Sequence, residues 1–264
     1  MSVIEAFILG LIQGITEFLP ISSSGHLKIG EAILNTPVKD NLLFTIVVHG
    51  ATVLSTIVVF RKDLWEIFTG LFQFKWNEPT KFSLKIILSM IPIAIVGLFF
   101  KDNVESLFES INLTGIGFML ILTSILLFFA WRYKGGEKKV GYGQAIIIGL
   151  AQVIAIVPGI SRSGATIGTA LLLKVDKAKA ARFSFLMVIV PILGENILDL
   201  AKGTFAKSSI PIDSLIVGFF AAFIAGLFAC KVMIKIVSQG KLHYFAIYCA
   251  IVGTLAVIFH EFIM

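Results

Sequence analysis

The segment GLIQGITEFLPISSSG at 10–25 aligns without gaps on GLAQVIAIVPGISRSG at 149–164. The turn Pro20-Ile21-Ser22-Ser23-Ser24-Gly25-His26 therefore returns as Gly159-Ile160-Ser161-Arg162-Ser163-Gly164-Ala165. Such a repeat constrains the fold before any local pattern does, because the chain must build one unit twice. The copies differ where chemistry would differ. The first carries Glu17 and His26; the second carries Arg162.

Both copies lie in sequence too apolar for a soluble domain. Mean hydropathy is +0.96, and 14% of residues are charged against roughly 25% in soluble domains. Runs at 41–60, 86–100, 110–130, 140–161, 183–194 and 214–230 have almost no charge. Several approach the ~20 residues that cross a ~30 Å hydrocarbon core. The chain reads as an integral membrane protein. Its net charge of +6 does not point to nucleic acid, since the Lys and Arg residues flank apolar runs, where the membrane accounts for them. Cys230 and Cys249 lie in apolar segments and read as small packing residues. The early Glu5, with no basic stretch before the first apolar run, argues against a cleavable signal peptide.

Segments 3–34 and 144–173 each hold two short arms around a serine-rich turn. Neither arm is long enough for a full crossing. This form predicts re-entrant helical hairpins, whose irregular turns survive at membrane depth only inside protein or beside a wet cavity. Three spans follow each hairpin: about 41–60, 84–100 and 112–131, then about 183–200, 213–235 and 243–263. A hairpin that returns to its own side plus three crossings is an odd unit, so the second copy starts on the opposite face. The expected fold is all-α, a polytopic membrane protein with six transmembrane helices and two re-entrant hairpins. Its inverted-topology repeats, 1–135 and 140–264, form one membrane domain. A pseudo-twofold axis then brings the two turns together near the midplane.

Loops 61–85, 132–143, 174–182 and 231–242 share one side and collect 16 of the 22 Lys and Arg residues. The positive-inside rule makes that side cytoplasmic. Both termini and the mouth of the first hairpin then face outward. Trp65, Trp76, Trp131 and Tyr133 fall near the cytoplasmic interface as an aromatic belt. The run Lys174–Arg182 reads as a solvated face.

Gln13 and Glu17 are four apart and share a helix face. A carboxylate at membrane depth is costly unless paired or metal-bound. Glu17 thus reads as a divalent-cation ligand, a general base, or the partner of Arg162 in a structural ion pair. Gln13 adds a neutral oxygen suited to Mg²⁺ or Ca²⁺. Ser22, Ser23, Ser24 and Gly25 can aim backbone N–H groups at an anion from a helix N-terminus. A serine there is also a helix cap, or a nucleophile if a base is near. His26 is a candidate acid, base or phosphate donor, or else a core histidine. Ser161, Ser163 and Gly164 form the matching cradle. Arg162 offers a bidentate fork to phosphate, and Thr166 caps its half-helix or reaches the same phosphate. These are parts for phosphoryl transfer on a substrate with a phosphate head and a hydrocarbon tail. His49 reads as a core or helix–helix hydrogen-bonding residue. Glu195, Asn196, His243 and His260 read as interfacial. Asp199 is interfacial or lines the outward cavity.

Two segments carry a resemblance: Gln13-Gly14-Ile15-Thr16-Glu17-Phe18-Leu19-Pro20 with Ser22–His26, and Pro158-Gly159-Ile160-Ser161-Arg162-Ser163-Gly164-Ala165-Thr166. They look like the (Glu/Gln)-x-x-x-Glu and Pro-Gly-x-Ser-Arg-Ser-x-x-Thr motifs of the undecaprenyl-diphosphate phosphatases of the bacitracin-resistance type. The chain resembles that family over essentially its whole length. The resemblance implies hydrolysis of undecaprenyl diphosphate to the monophosphate and phosphate in the bacterial plasma membrane, which recycles the cell-wall lipid carrier. It also implies dependence on a divalent cation, and bacitracin resistance on overexpression. Glu17, Ser23, His26 and Arg162 fall on the family's functional positions, with Ser23 as nucleophile. Gln13 stands where many members have Glu, so one metal-binding charge is absent.

Two other classes compete. Inverted repeats with broken helices are also a transporter or flippase design. Ser24-Gly25-His26 is similar to an element of the acid-phosphatase-like membrane enzymes, but the later His and Asp of that class are missing. The expected partners are a polyprenyl diphosphate lipid and the surrounding membrane lipids. Monomer and homodimer both stay open.

Overall fold

A computed structural model describes residues 1–36, 42–133, 136–201 and 210–258. Lys39, Lys202, Lys207 and His260, and the side chains of Glu195 and Asp199, lie outside the described residues. The first half of the chain runs α1 (Val3–Thr16), α2 (Ser23–Leu34), α3 (Leu42–Val59), α4 (Arg61–Leu71), α5 (Glu78–Phe99), α6 (Lys101–Ser110) and α7 (Leu113–Tyr133). The second half runs α8 (Tyr142–Ile154), α9 (Arg162–Leu172), α10 (Lys177–Met187), α11 (Ile189–Ala201), α12 (Ile212–Ser238) and α13 (His243–Ile258). Extended pairing among the described residues is confined to an isolated bridge between Lys138 and Val175, which ties the connector between the halves to the end of α9.

Both hairpins form where the sequence places them, α1 against α2 and α8 against α9. Their arms stop early for local reasons. At 14 and 13 residues, α1 and α8 reach only about 20 Å at ~1.5 Å per residue, short of a ~30 Å core. Ser2 and Glu5 open α1 with a reciprocal capping box. Asn35 closes α2 in the left-handed region, at φ 51°.

Four described helical stretches are long and apolar enough to cross a membrane: Glu78–Phe99, Leu113–Tyr133, Lys177–Leu198 and Ile212–Ser238. A fifth comes from Leu43–Val59, which continues after a 74° bend into Arg61–Leu71. The last expected span is a shorter apolar helix, His243–Ile258. Two expected loops are largely helical. The 61–85 loop holds α4 and the start of α5, and the run Lys174–Arg182 lies mostly in α10, with Lys174 and Lys179 exposed as a solvated face expects. Ala181 and Phe183 there are fully buried. Arg182, between them, reaches α4: its Nε lies 2.5 Å from Asp63, and its Nη2 lies 3.4 Å from Glu66.

The packing crosses between the two halves. Helix α1 runs alongside α12 in the same direction. A Cβ added at Gly10 would lie 2.5 Å from the Gly218 carbonyl, and one at Gly14 would strike that of Ala222. Without a hydrophobic driving force between helices in lipid, such small-residue seams let backbones approach and pack. Gly149, the counterpart of Gly10 in the repeat, is pressed on the Ser89 carbonyl of α5 in the same way. Helices α8 and α5 also run in the same direction, with Lys85 5.3 Å from the Tyr142 ring one step before that contact. Finally α7 packs antiparallel on α13. Cβ atoms built at Gly117 and Gly253 would each lie 2.7 Å from the other's carbonyl oxygen. Each hairpin is thus embraced by helices from the opposite half of the chain.

Candidate active site

The two serine turns have matching local structure. Ser22 caps α2 by accepting the Gly25 N–H at 3.3 Å, and Ser161 caps α9 by accepting the Gly164 N–H at 3.1 Å. In each turn the cap hydroxyl also meets the serine two residues on: Ser22 with Ser24, and Ser161 with Ser163, both at 3.3 Å. Ser22 and Ser161 are therefore helix caps, and two half-helices begin at the turns with first-turn N–H groups that no helical carbonyl can satisfy. Ser22 holds φ 70°, a region that costs an L-residue roughly 1–3 kcal/mol and that surrounding structure must enforce. Gly159 at φ 96° needs glycine twice over, since a Cβ would lie 2.6 Å from that of Met119.

Helices from the opposite half clamp each turn. On α13, the Cys249 thiol faces the Pro20 carbonyl at 3.7 Å. On α7, Thr123 donates to the Gly159 carbonyl at 3.3 Å and accepts the Ser161 N–H at 3.1 Å. The turns are also tied together, with Ser163 donating to the Leu19 carbonyl at 3.1 Å.

Between them Glu17 collects the site. Its side chain is 5% exposed. One carboxylate oxygen pairs with the Arg162 guanidinium. The other accepts the Ser23 hydroxyl at 2.7 Å and the Gln13 amide N–H at 2.9 Å. A hydroxyl donating to a buried carboxylate at this distance is the geometry of a nucleophile and its base. Glu17, Arg162 and Ser163 line a small cavity of about 20 Å³ together with Thr52, Thr56 and Ser184. Its other walls are apolar, including Phe18, Phe185 and Ile192. The cavity therefore sets the Glu17–Arg162 pair and several hydroxyl residues against an apolar wall.

Glu17, Ser23, Gln13 and Arg162 thus come together. His26, one turn after Ser23 on α2, makes its hydrogen bonds elsewhere. Its Nδ1 lies 2.8 Å from the Ser22 carbonyl, and its Nε2 lies 2.9 Å from the hydroxyl of Tyr248, on which its ring stacks. Thr166 donates to the Arg162 carbonyl at 2.9 Å and meets the Ser184 hydroxyl, so it steadies the first turn of α9. One residue departs from its expected role. His49 is no ordinary core histidine: its Nε2 lies 3.9 Å from Glu17. The available signal was an imidazole in an otherwise uncharged span. Tyr248, Thr52, Thr56 and Ser184 gave no comparable sign.

Among the described residues no cluster of three His, Cys, Asp or Glu side chains stands ready for an ion. The donors near Glu17 are its own carboxylate, His49 and Gln13. Gln13 is fully buried, and its Oε1 has no hydrogen-bond partner. A buried orphan acceptor beside a carboxylate fits a hard cation.

The family model of the bacitracin resistance protein BacA matches residues 6–255. This chain belongs to the BacA family. Relatives in the family extend the match over nearly the whole length. The chain is 56% identical over 261 residues to an undecaprenyl-diphosphatase of Christiangramia forsetii, covering 98% of each. It is 57% identical to one of Bacteroides thetaiotaomicron, covering 98% of this chain and 99% of that protein. An archaeal relative, an undecaprenyl-diphosphatase of Korarchaeum cryptofilum, is 39% identical over 96% of this chain and 97% of its own. The BacA match spans both serine turns, so Glu17 and Arg162 lie inside it.

Proposed function

We propose that this chain is an integral-membrane phosphatase that hydrolyses undecaprenyl diphosphate to undecaprenyl phosphate and inorganic phosphate. It thereby recycles the lipid carrier for cell-wall synthesis and confers bacitracin resistance. The observation that carries the reading is the single carboxylate of Glu17, which receives Ser23 from its own turn and Arg162 from the other. Nucleophile, base and phosphate fork meet only when both halves of the chain are folded together.

In the mechanism, Arg162 leaves Glu17 in part to grip the terminal phosphate, aided by the first-turn N–H groups of the two half-helices that the cap serines Ser22 and Ser161 leave free. Ser23 Oγ attacks the distal phosphorus, and Glu17 takes its proton. The bond from that phosphorus to the bridging oxygen breaks, and undecaprenyl phosphate leaves. Water then attacks the phosphorus of the phosphoserine, the Ser23 Oγ–P bond breaks, Glu17 returns its proton to Ser23 Oγ, and phosphate departs carrying the water's protons. Glu17 is in reach of the Ser23 proton; His26, held by Tyr248, orders the first turn of α2. Glu17 and Gln13 would hold a divalent cation, Mg²⁺ or Ca²⁺, which supplies neutralisation of diphosphate charge.

The fold proposed with this chemistry is an inverted-topology repeat of six crossings and two re-entrant hairpins in the bacterial plasma membrane. The termini and the site's mouth lie on the outer side. The exchanged packing of α1 with α12 and α8 with α5 supports that arrangement. Phosphate release from long-chain polyprenyl diphosphate by the purified chain tests the function. Lipid movement without release would favour the transporter reading.

A further inference from the structure

The geometry points to His49 as a nitrogen ligand of the catalytic cation, completing with Glu17 and Gln13 a three-donor site that admits Mn²⁺ or Co²⁺ as well as Mg²⁺. This rests on the phosphatase reading above and deepens it.

The separation itself is the first argument. His49 Nε2 and Glu17 Oε2 are 3.9 Å apart. A direct hydrogen bond between nitrogen and oxygen ends well before that distance. Two ligands of one ion, each bound at roughly 2.1 Å, can be separated by up to about 4.2 Å. The gap is too wide for direct pairing and suits a shared cation.

The second argument is the other ring nitrogen. His49 Nδ1 lies 2.8 Å from the Thr45 carbonyl, the residue one turn earlier on α3. A carbonyl only accepts, so Nδ1 carries the hydrogen and the lone pair of the neutral ring is on Nε2, facing Glu17. Metal-binding histidines are held in this way, with the second N–H donated to a backbone carbonyl or carboxylate.

The third argument is Gln13. Its amide N–H is used on Glu17 Oε2, while its buried Oε1 is left without a partner. A buried acceptor left unsatisfied destabilises the fold, and an ion beside Glu17 would satisfy it. Gln13 lacks the charge a glutamate would bring, and a neutral imidazole is the donor that strengthens such a site for first-row transition ions over Ca²⁺.

The test uses the full chain purified in detergent. Mn²⁺ binding by calorimetry and the visible spectrum of the Co²⁺ form are compared for wild type, His49→Ala and His49→Gln. We expect one Mn²⁺ per chain, weakened at least about tenfold in His49→Ala. His49→Gln keeps Mg²⁺ within about threefold but changes the Co²⁺ spectrum, because an oxygen replaces the nitrogen. Unchanged Mn²⁺ affinity and an unchanged Co²⁺ spectrum in both variants would overturn the assignment, as would a wild-type chain that takes up no Mn²⁺. Phosphate release by the wild type is scored separately. Release with His49-independent metal binding sinks only this inference, whereas His49-dependent binding without release sinks only the phosphatase reading.

Discussion

Glu17 and Arg162 form an ion pair across 145 residues of chain, one at the end of α1 and the other opening α9. The carboxylate is almost wholly buried and the guanidinium is partly open to the cavity. An arginine that is both paired and accessible can share its fork between Glu17 and a phosphate. The pair joins the two hairpins and primes the site.

Removing both partners should therefore cost less than the two single losses combined. Breaking a fully buried pair costs about 3–5 kcal/mol; with Arg162 29% exposed, we expect about 2 kcal/mol for Arg162→Met. The double variant Glu17→Gln/Arg162→Met should lose less stability than the two single changes added together. Thermal unfolding in detergent measures this, and simple additivity would show that the pair is not coupled.

Ser23 and Ser163 look alike in sequence but donate to different acceptors, Glu17 and the Leu19 carbonyl. Ser23→Ala should lower kcat by about 10³-fold or more with little change in KM. Ser163→Ala should cost about 1 kcal/mol of stability and leave most of kcat. Equal losses of kcat from both changes would remove the distinction between nucleophile and clamp.

The glycine seams give a test that does not involve chemistry. Gly14→Leu and Gly149→Leu each push a side chain into a facing backbone carbonyl, and a loss of about 2–4 kcal/mol with loss of activity is expected. Gly97 on α5 faces open space, so Gly97→Ala should be neutral or stabilising by up to about 1 kcal/mol. Destabilisation by Gly97→Ala equal to that of the seam variants would contradict the packing described.

Chelation should abolish phosphate release, and added Mg²⁺ should restore it. Gln13→Glu adds a charge to the oxygen set, so half-activation should need about tenfold less cation. A variant with the wild-type cation requirement would place the ion away from Gln13.

The hairpins were legible because their signals are local: short apolar arms, a serine cap three residues before its partner N–H, and a repeat that shows the device twice. The convergence of Glu17 with Arg162 was expected because the two copies of the turn carry complementary charges, and the ion pair is present. What stayed hidden depends on contacts between distant segments. The 61–85 segment read as a loop, and its pairing of Asp63 and Glu66 with Arg182 appears only once α4 and α10 pack. His49 has no sequence neighbour that announces Glu17. His26 adjoins the serines in sequence, yet both ring nitrogens face other groups, Ser22's carbonyl and Tyr248.

The most direct measurement is single-turnover phosphate release from undecaprenyl diphosphate by the wild type, Glu17→Ala, Ser23→Ala and Arg162→Ala chains. Release by the wild type, with each variant slower by at least about 100-fold, is the predicted result. Near-normal release by all three variants would mean that the diphosphate is cleaved somewhere other than between the two serine turns.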